Sequence, residues 1–292
     1  MGYKLICEIK TLLKTLLIIL IGTFMIGLLV GMNFAARDSG DTYYTMLTII
    51  LAYLLYKIFL KGISKLNLLD KRYISEINLS CSMKIWLTCV AILFERSIKG
   101  FISPTTKPEN QKLNEQLYEN LDIFNILIQS GLRAPVMEEL FFRGVLFITI
   151  LTASSYLYNK LDNNYDYVGV IAFALISSFL FGFSHVAVAL DIQNMFPYYI
   201  HGLIYTLLFV LTRDIKLPIV VHSTSNILSV LARHEYTYLI EFINVINILV
   251  IVVSTIIIFK KDKQVNDYIK WWEYKVNRRH AIKKLRYISE RE

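Results

Sequence analysis

Two adjacent carboxylates, Glu138 and Glu139, sit inside an apolar stretch of this 292-residue chain. An ionised side chain at the centre of a bilayer costs at least about 2.5–3.5 kcal/mol on insertion scales, so acids in such places are functional candidates by default. On a helix, Glu139 and Arg143 stand at i and i+4, share a face and can pair. Glu138 points about 100° away, toward a different partner. A buried carboxyl without an ion partner suits general acid–base chemistry. His185 closes the run Phe-Gly-Phe-Ser-His (181–185), and His222 and Asn226 bound His-Ser-Thr-Ser-Asn (222–226), again at i and i+4. Two imidazoles, a carboxylate and an amide can together hold and activate a water. Asn226 or a neutral imidazole can donate to a developing oxyanion. Two histidines and a glutamate are also legitimate zinc ligands, although no HExxH spacing is present.

The elements that must carry these side chains are apolar. The chain is 55% hydrophobic and 18% charged, against about 25% charged in a soluble domain, and its mean hydropathy is +0.49. These values exclude a disordered, collagenous or coiled-coil chain. Runs near the roughly 18–20 residues that cross a bilayer recur at Thr15–Ala36, Thr42–Leu60, Cys81–Ile102, Ile123–Tyr158, Val168–Leu190, Met195–Thr212, Leu217–Ala232 and Tyr238–Phe259. The expected fold is all-α: a polytopic membrane protein with about eight transmembrane helices in one bundle. Three divisions are expected: N-terminal helices and a polar loop over 1–120, a catalytic helical core over 121–259, and a basic tail over 260–292.

Charge indicates orientation. Lys and Arg gather in the N-terminus, the Lys57–Arg72 loop and the tail, which alone holds eleven of them. An even number of spans puts all three segments on one side, and the positive-inside rule makes that side cytoplasmic. The expected location is therefore the membrane, multi-pass, with both termini cytoplasmic. In the tail Ile269, Trp272, Val276, Ile282 and Leu285 recur at near-helical spacing, the pattern of an interfacial helix on anionic lipid. Membrane lipids are thus expected partners, and nucleic acid is not. Other polar or sulfur-bearing residues have plainer readings. Cys7, Cys81 and Cys89 have no metal spacing. Glu95–Arg96 reads as a span terminus, His201 as core or pore packing, and Glu241 as a group near a span end.

The three polar boxes together resemble a known family. Pro135-Val-Met-Glu-Glu-Leu-Phe-Phe-Arg143-Gly144 matches an EExxxR box, Phe181 to His185 an FxxxH box, and His222 to Asn226 an HxxxN box. In order and each inside an expected span, they resemble the CPBP intramembrane endopeptidases, which include CAAX prenyl proteases and bacteriocin-processing or immunity-associated Abi relatives. The resemblance covers roughly 133–228. It implies hydrolysis of a peptide bond within the membrane, on prenylated CAAX-type peptides, leader peptides or other membrane-associated peptides. It implies Glu138 as general base, His185 as a holder of the water, His222 and Asn226 as oxyanion stabilisers, and Glu139 with Arg143 as support. The family is described both as glutamic and as metallo-endopeptidase. Cofactor-free glutamate catalysis is the expectation; the alternative is zinc on Glu138, His185 and His222. A non-catalytic immunity or binding protein on the same scaffold is the competing function. Convergence of His185, late in its span, with His222, early in another running the same way, requires span boundaries to move by about four residues.

Overall fold

Apolar runs become helices here because, away from water, a helix satisfies its own backbone N–H and C=O groups. The computed structural model describes residues 2–66, 69, 74–102, 106, 108–119, 121–160 and 166–261. The helices are α1 (Gly2–Ser39), α2 (Thr42–Leu66), α3 (Cys81–Ile102), the short α4 (Glu109–Tyr118), α5 (123–160), α6 (Asp166–Ser184), α7 (Met195–Thr212), α8 (Lys216–Arg233) and α9 (Thr237–Lys261). No strand occurs among the described residues. The expected interfacial helix of the tail lies beyond 261, outside the described residues.

Five stretches are long and apolar enough to cross a membrane: those of α1, α2, α5, α7 with the turn before it, and α9. The rest are shorter or more polar. Among them α3 carries Lys84, Glu95, Arg96 and Lys99, and α8 carries His222 and Asn226. Contacts between helix ends establish that the long helices alternate in direction. At one end Ile77 N–H bonds the Thr212 carbonyl at 2.9 Å, Lys84 pairs with Asp214 at 2.8 Å, and Lys14 reaches the Leu66 carbonyl. At the other end Thr42 meets Asn125, Arg133 reaches the Asn33 carbonyl, and Arg233 pairs with Glu115 at 2.9 Å. The outer surface is apolar: Leu13, Leu16, Leu20 and Phe24 of α1 and Phe242, Leu249 and Val252 of α9 are exposed, the inverse of a soluble surface and the expectation for lipid contact.

Inside, α1 and α2 pack Ile18, Met25, Leu29, Ala52, Tyr56 and Phe59 against Met137, Leu140, Val145 and Ile148 of α5. A second cluster, Phe142, Phe181, Ile204, Tyr205 and Val221, joins α5 to α6, α7 and α8. Two differences from expectation follow α1, which itself starts at Gly2 rather than Thr15. The polar stretch 103–120 contains the helix α4, and α2 continues past Leu60 to Leu66. A third difference, the early end of α6, builds the site.

Candidate active site

α5 is not a uniform α-helix. Leu127–Arg133 and Leu140–Val145 are π-helical and flank the α-helical Ala134–Glu139. Such wide turns are rare and concentrate at functional sites. The first has a local cause. Ala134 N–H bonds the Gln129 carbonyl, five residues back. The next donor in that register is residue 135, a proline with no N–H. The Ser130 carbonyl therefore loses its backbone donor, and Asn226 Nδ2 of α8 supplies one at 2.9 Å. The polar contact of Asn226 thus ties α8 to α5 beside the site; it is not made to Glu138.

The Glu139–Arg143 pair forms as its spacing requires, Nη1 to Oε1 at 3.1 Å, with both side chains 0% exposed. Arg143 does more than neutralise it. Nη2 donates to the Gly202 carbonyl at 2.7 Å, and the guanidinium lies over the Phe181 ring at 4.7 Å. One side chain so links α5, α6 and α7. Gly202 leaves room there for Phe181, which a Cβ would approach to 3.0–3.1 Å. The same Glu139 oxygen also accepts from His222 Nδ1 at 2.9 Å. Removing either buried partner would strand a charge in a low-dielectric interior.

His185 is positioned by the end of α6. The expectation carried that span to Leu190, but the helix stops at Ser184. His185 N–H turns back to Gly182, three residues away, and the Phe181 carbonyl accepts instead from the His185 ring Nδ1 and from Ser184 Oγ, both at 2.8 Å. Side chains that compete for helix carbonyls in this way end helices. Tyr198 stacks on the ring at 4.6 Å. The depth problem resolves because α5 and α6 extend past the α7–α8 turn at the far end. There Arg213 lies over Phe147, in the middle of α5, so His222 on the second turn of α8 comes level with Glu138.

Glu138, His185 and His222 therefore meet. Glu138 Oε2 is 4.0 Å from His185 Nε2 and 3.9 Å from His222 Nε2. Each imidazole gives its Nδ1–H to an oxygen acceptor, a carbonyl for His185 and a carboxylate for His222, so in the neutral ring each Nε2 is a lone-pair acceptor. Three acceptors face one point. Glu138 and His185 remain partly accessible, at 23% and 27%, whereas Glu139 and Arg143 are sealed.

These donors suit a zinc ion in type, and the anchored Nδ1 atoms match the outer shell that metal-bound histidines use. The spacing does not match. Ligands about 2.0–2.1 Å from a tetrahedral zinc lie about 3.3 Å apart, less than either separation here. Among the described residues no group of three His, Cys, Asp or Glu has metal-binding geometry.

One acid escaped the sequence reasoning. Glu95 is not a span terminus. It is 2% exposed within α3, accepts from Tyr205 Oη at 2.7 Å and lies 3.4 Å from His201 Nδ1. Tyr205 stacks on His222 at 4.7 Å, nearly parallel. Glu95 thus braces, through Tyr205, the second face of the His222 ring. Its signal in the sequence was the one used for Glu138: an acid inside an apolar run.

Part of the chain that carries this geometry is similar to a known family. The model of the Rce1-like type II CAAX prenyl endopeptidases matches residues 120–228. This segment of the chain is similar to that family. The matched segment runs from the start of α5 into α8 and includes Glu138, Glu139, Arg143, His185, His222 and Asn226. No curated protein and no solved structure matches the chain. The Rce1-like match and the apolar helices support a membrane protease.

Proposed function

We propose that this protein is a glutamate-dependent intramembrane endopeptidase. The convergence of Glu138 Oε2 with two acceptor nitrogens at 3.9–4.0 Å carries the reading. Such separations are too long for direct hydrogen bonds and fit groups that share a water, with each bond at about 2.8 Å. Glu138 takes a proton from that water as its oxygen attacks the peptide carbonyl carbon. The C–N bond then breaks, and the proton passes to the departing nitrogen. His185 Nε2 accepts the second O–H of the water, and His222 Nε2 borders the same point. Glu139, itself held by Arg143, fixes the His222 ring. Asn226 serves mainly to hold α8 against the π-helical turn of α5.

Substrates are membrane-associated peptides, and the domain's relationship makes prenylated CAAX-type peptides one class of them. The test compares membrane proteomes of cells carrying the native chain and the Glu138→Gln variant. Uncleaved precursors accumulate in the variant. Identical proteomes, with the variant stably inserted, would favour the non-catalytic binding role. Activity that disappears with chelator and returns with Zn²⁺ would replace the metal-free mechanism with the zinc one, at Glu138, His185 and His222.

A further inference from the structure

Five aromatic rings run in an unbroken chain through the site. Tyr198 lies on His185 with centroids 4.6 Å apart, His185 on Phe181 at 4.6 Å, Phe181 against His222 at 5.5 Å, and His222 on Tyr205 at 4.7 Å. The second and fourth members are the imidazoles whose Nε2 atoms lie 4.0 and 3.9 Å from Glu138 Oε2. A hydrogen bond at Nδ1 fixes one edge of each imidazole but leaves the ring free to tilt about that bond. The neighbouring rings block the tilt. Both end rings, Tyr198 and Tyr205, belong to α7 and stand about two turns apart on one face. α7 therefore sets how the two imidazoles stand relative to each other, with Phe181 as the spacer between them.

His201 lies on the same face of α7, at i+3 from Tyr198 and i−4 from Tyr205. Its Nδ1 is 3.4 Å from Glu95 Oε1. Its Nε2 is buried and makes no hydrogen bond among the described residues, so Glu95 is the polar anchor of the ring. The same Glu95 oxygen accepts from Tyr205 Oη at 2.7 Å. One carboxyl oxygen of α3 thus holds α7 at two points, between the ends of the ring chain and at one of them. Burying a carboxylate as deeply as Glu95 costs several kcal/mol of desolvation. An apolar residue would pack α3 on α7 without that cost but would leave Tyr205 and His201 unanchored.

We infer that Glu95 and His201 are positioning residues for hydrolysis. They act through Tyr198 and Tyr205, fixing the α7 frame that holds His185 and His222 to Glu138. This rests on the proteolytic reading above. Within it, loss of the frame slows the chemical step and leaves peptide binding largely intact, because a misplacement of about 1 Å can cost about 10²-fold in rate.

The test compares the full native chain with Glu95→Leu, Glu95→Gln and His201→Phe, each in liposomes on a membrane-anchored peptide. Leu and Phe fill the space of the buried polar groups, and Gln keeps an acceptor for Tyr205 Oη. We expect kcat to fall about ten- to hundredfold in Glu95→Leu and His201→Phe with KM within about twofold of native, and Glu95→Gln to regain most of the loss. Native kcat in both apolar variants, or a change confined to KM, overturns the inference. A second readout needs no turnover: carbethoxylation by diethyl pyrocarbonate, located by mass spectrometry. His222, whose side chain is 5% exposed, should react severalfold faster in Glu95→Leu and His201→Phe, with the exposed His234 as an unchanged reference. Unaltered His222 reactivity in both variants likewise overturns the inference. Where Glu95→Leu fails to fold, His201→Phe carries both readouts. Faster His222 labelling in the variants of a chain that itself cleaves nothing would sink the protease reading and leave the ring frame standing.

Discussion

At the residue scale, Asn226 makes a contact that its motif does not imply. Its Nδ2 replaces a hydrogen bond that Pro135 cannot make to Ser130. A carbonyl left without a donor costs about 1–3 kcal/mol. Asn226→Ala is expected to lower stability by about that amount, and Pro135→Ala, which restores an N–H, to offset part of the loss. A double-mutant cycle from thermal or denaturant unfolding in detergent measures the coupling; strictly additive effects would refute the local account. Tyr205→Phe keeps the aromatic face on His222 but removes the Oη–H that Glu95 accepts. The expected result is lower stability and a reduced kcat with KM nearly unchanged. A change confined to KM would place Tyr205 in substrate binding instead. The paired spacing of Glu139 with Arg143 was legible from residue types alone, because i and i+4 share a helix face. The partnership of Glu139 with His222 was not, since it joins residues 83 apart in sequence.

At the element scale, small residues and helix ends set the site. α6 and α7 approach so closely at Gly182 that a Cβ would stand 2.9 Å from the Tyr199 backbone nitrogen. Gly182→Ala must push the two helices apart, at a cost of about 1–3 kcal/mol. It should also displace His185, three residues on, so that activity falls more steeply than stability in a paired thermal-shift and cleavage assay. At the α7–α8 turn, burial would raise the Asp214 carboxyl. Hydrogen bonds and ion pairs with Lys84 and Lys216 outweigh it and hold the group below the ordinary carboxylate value. A depressed native pKa contributes stability that is present above the unfolded value, about 3.9, and is lost as pH falls through the native one. The native protein should therefore lose stability between about pH 4 and the lower native pKa, and Asp214→Asn should show a flatter profile there. Helix existence was readable from the apolar runs. The π-helical turns and the end of α6 were not, because a one-residue change of register hardly alters a pattern of mostly apolar residues. The stop at Ser184 depends on a ring-to-carbonyl bond rather than on a proline or glycine.

At the scale of the whole molecule, the bundle solves a problem that linear sequence leaves open: bringing one residue from the end of α6 and another from the start of α8 to one depth. Staggering of the helices achieves it, with α5 and α6 reaching past the α7–α8 turn. The outward-facing leucines and phenylalanines of α1 and α9 keep the bundle in lipid, and the polar boxes face inward, where a water can be held. The fold class followed from composition, and the six boxed residues followed from motif. The neighbouring Arg96 makes Glu95 resemble the edge of a span, whereas the structure buries it.

The central claim is that Glu138 activates the attacking water. Its most direct test is the single-turnover rate of purified, chelator-treated protein in liposomes on a membrane-anchored peptide, native chain against Glu138→Gln. General-base removal costs about 10²–10⁴-fold, so a loss in that range with an unchanged unfolding midpoint is predicted. A Glu138→Gln protein that cleaves within about twofold of the native rate would contradict the account.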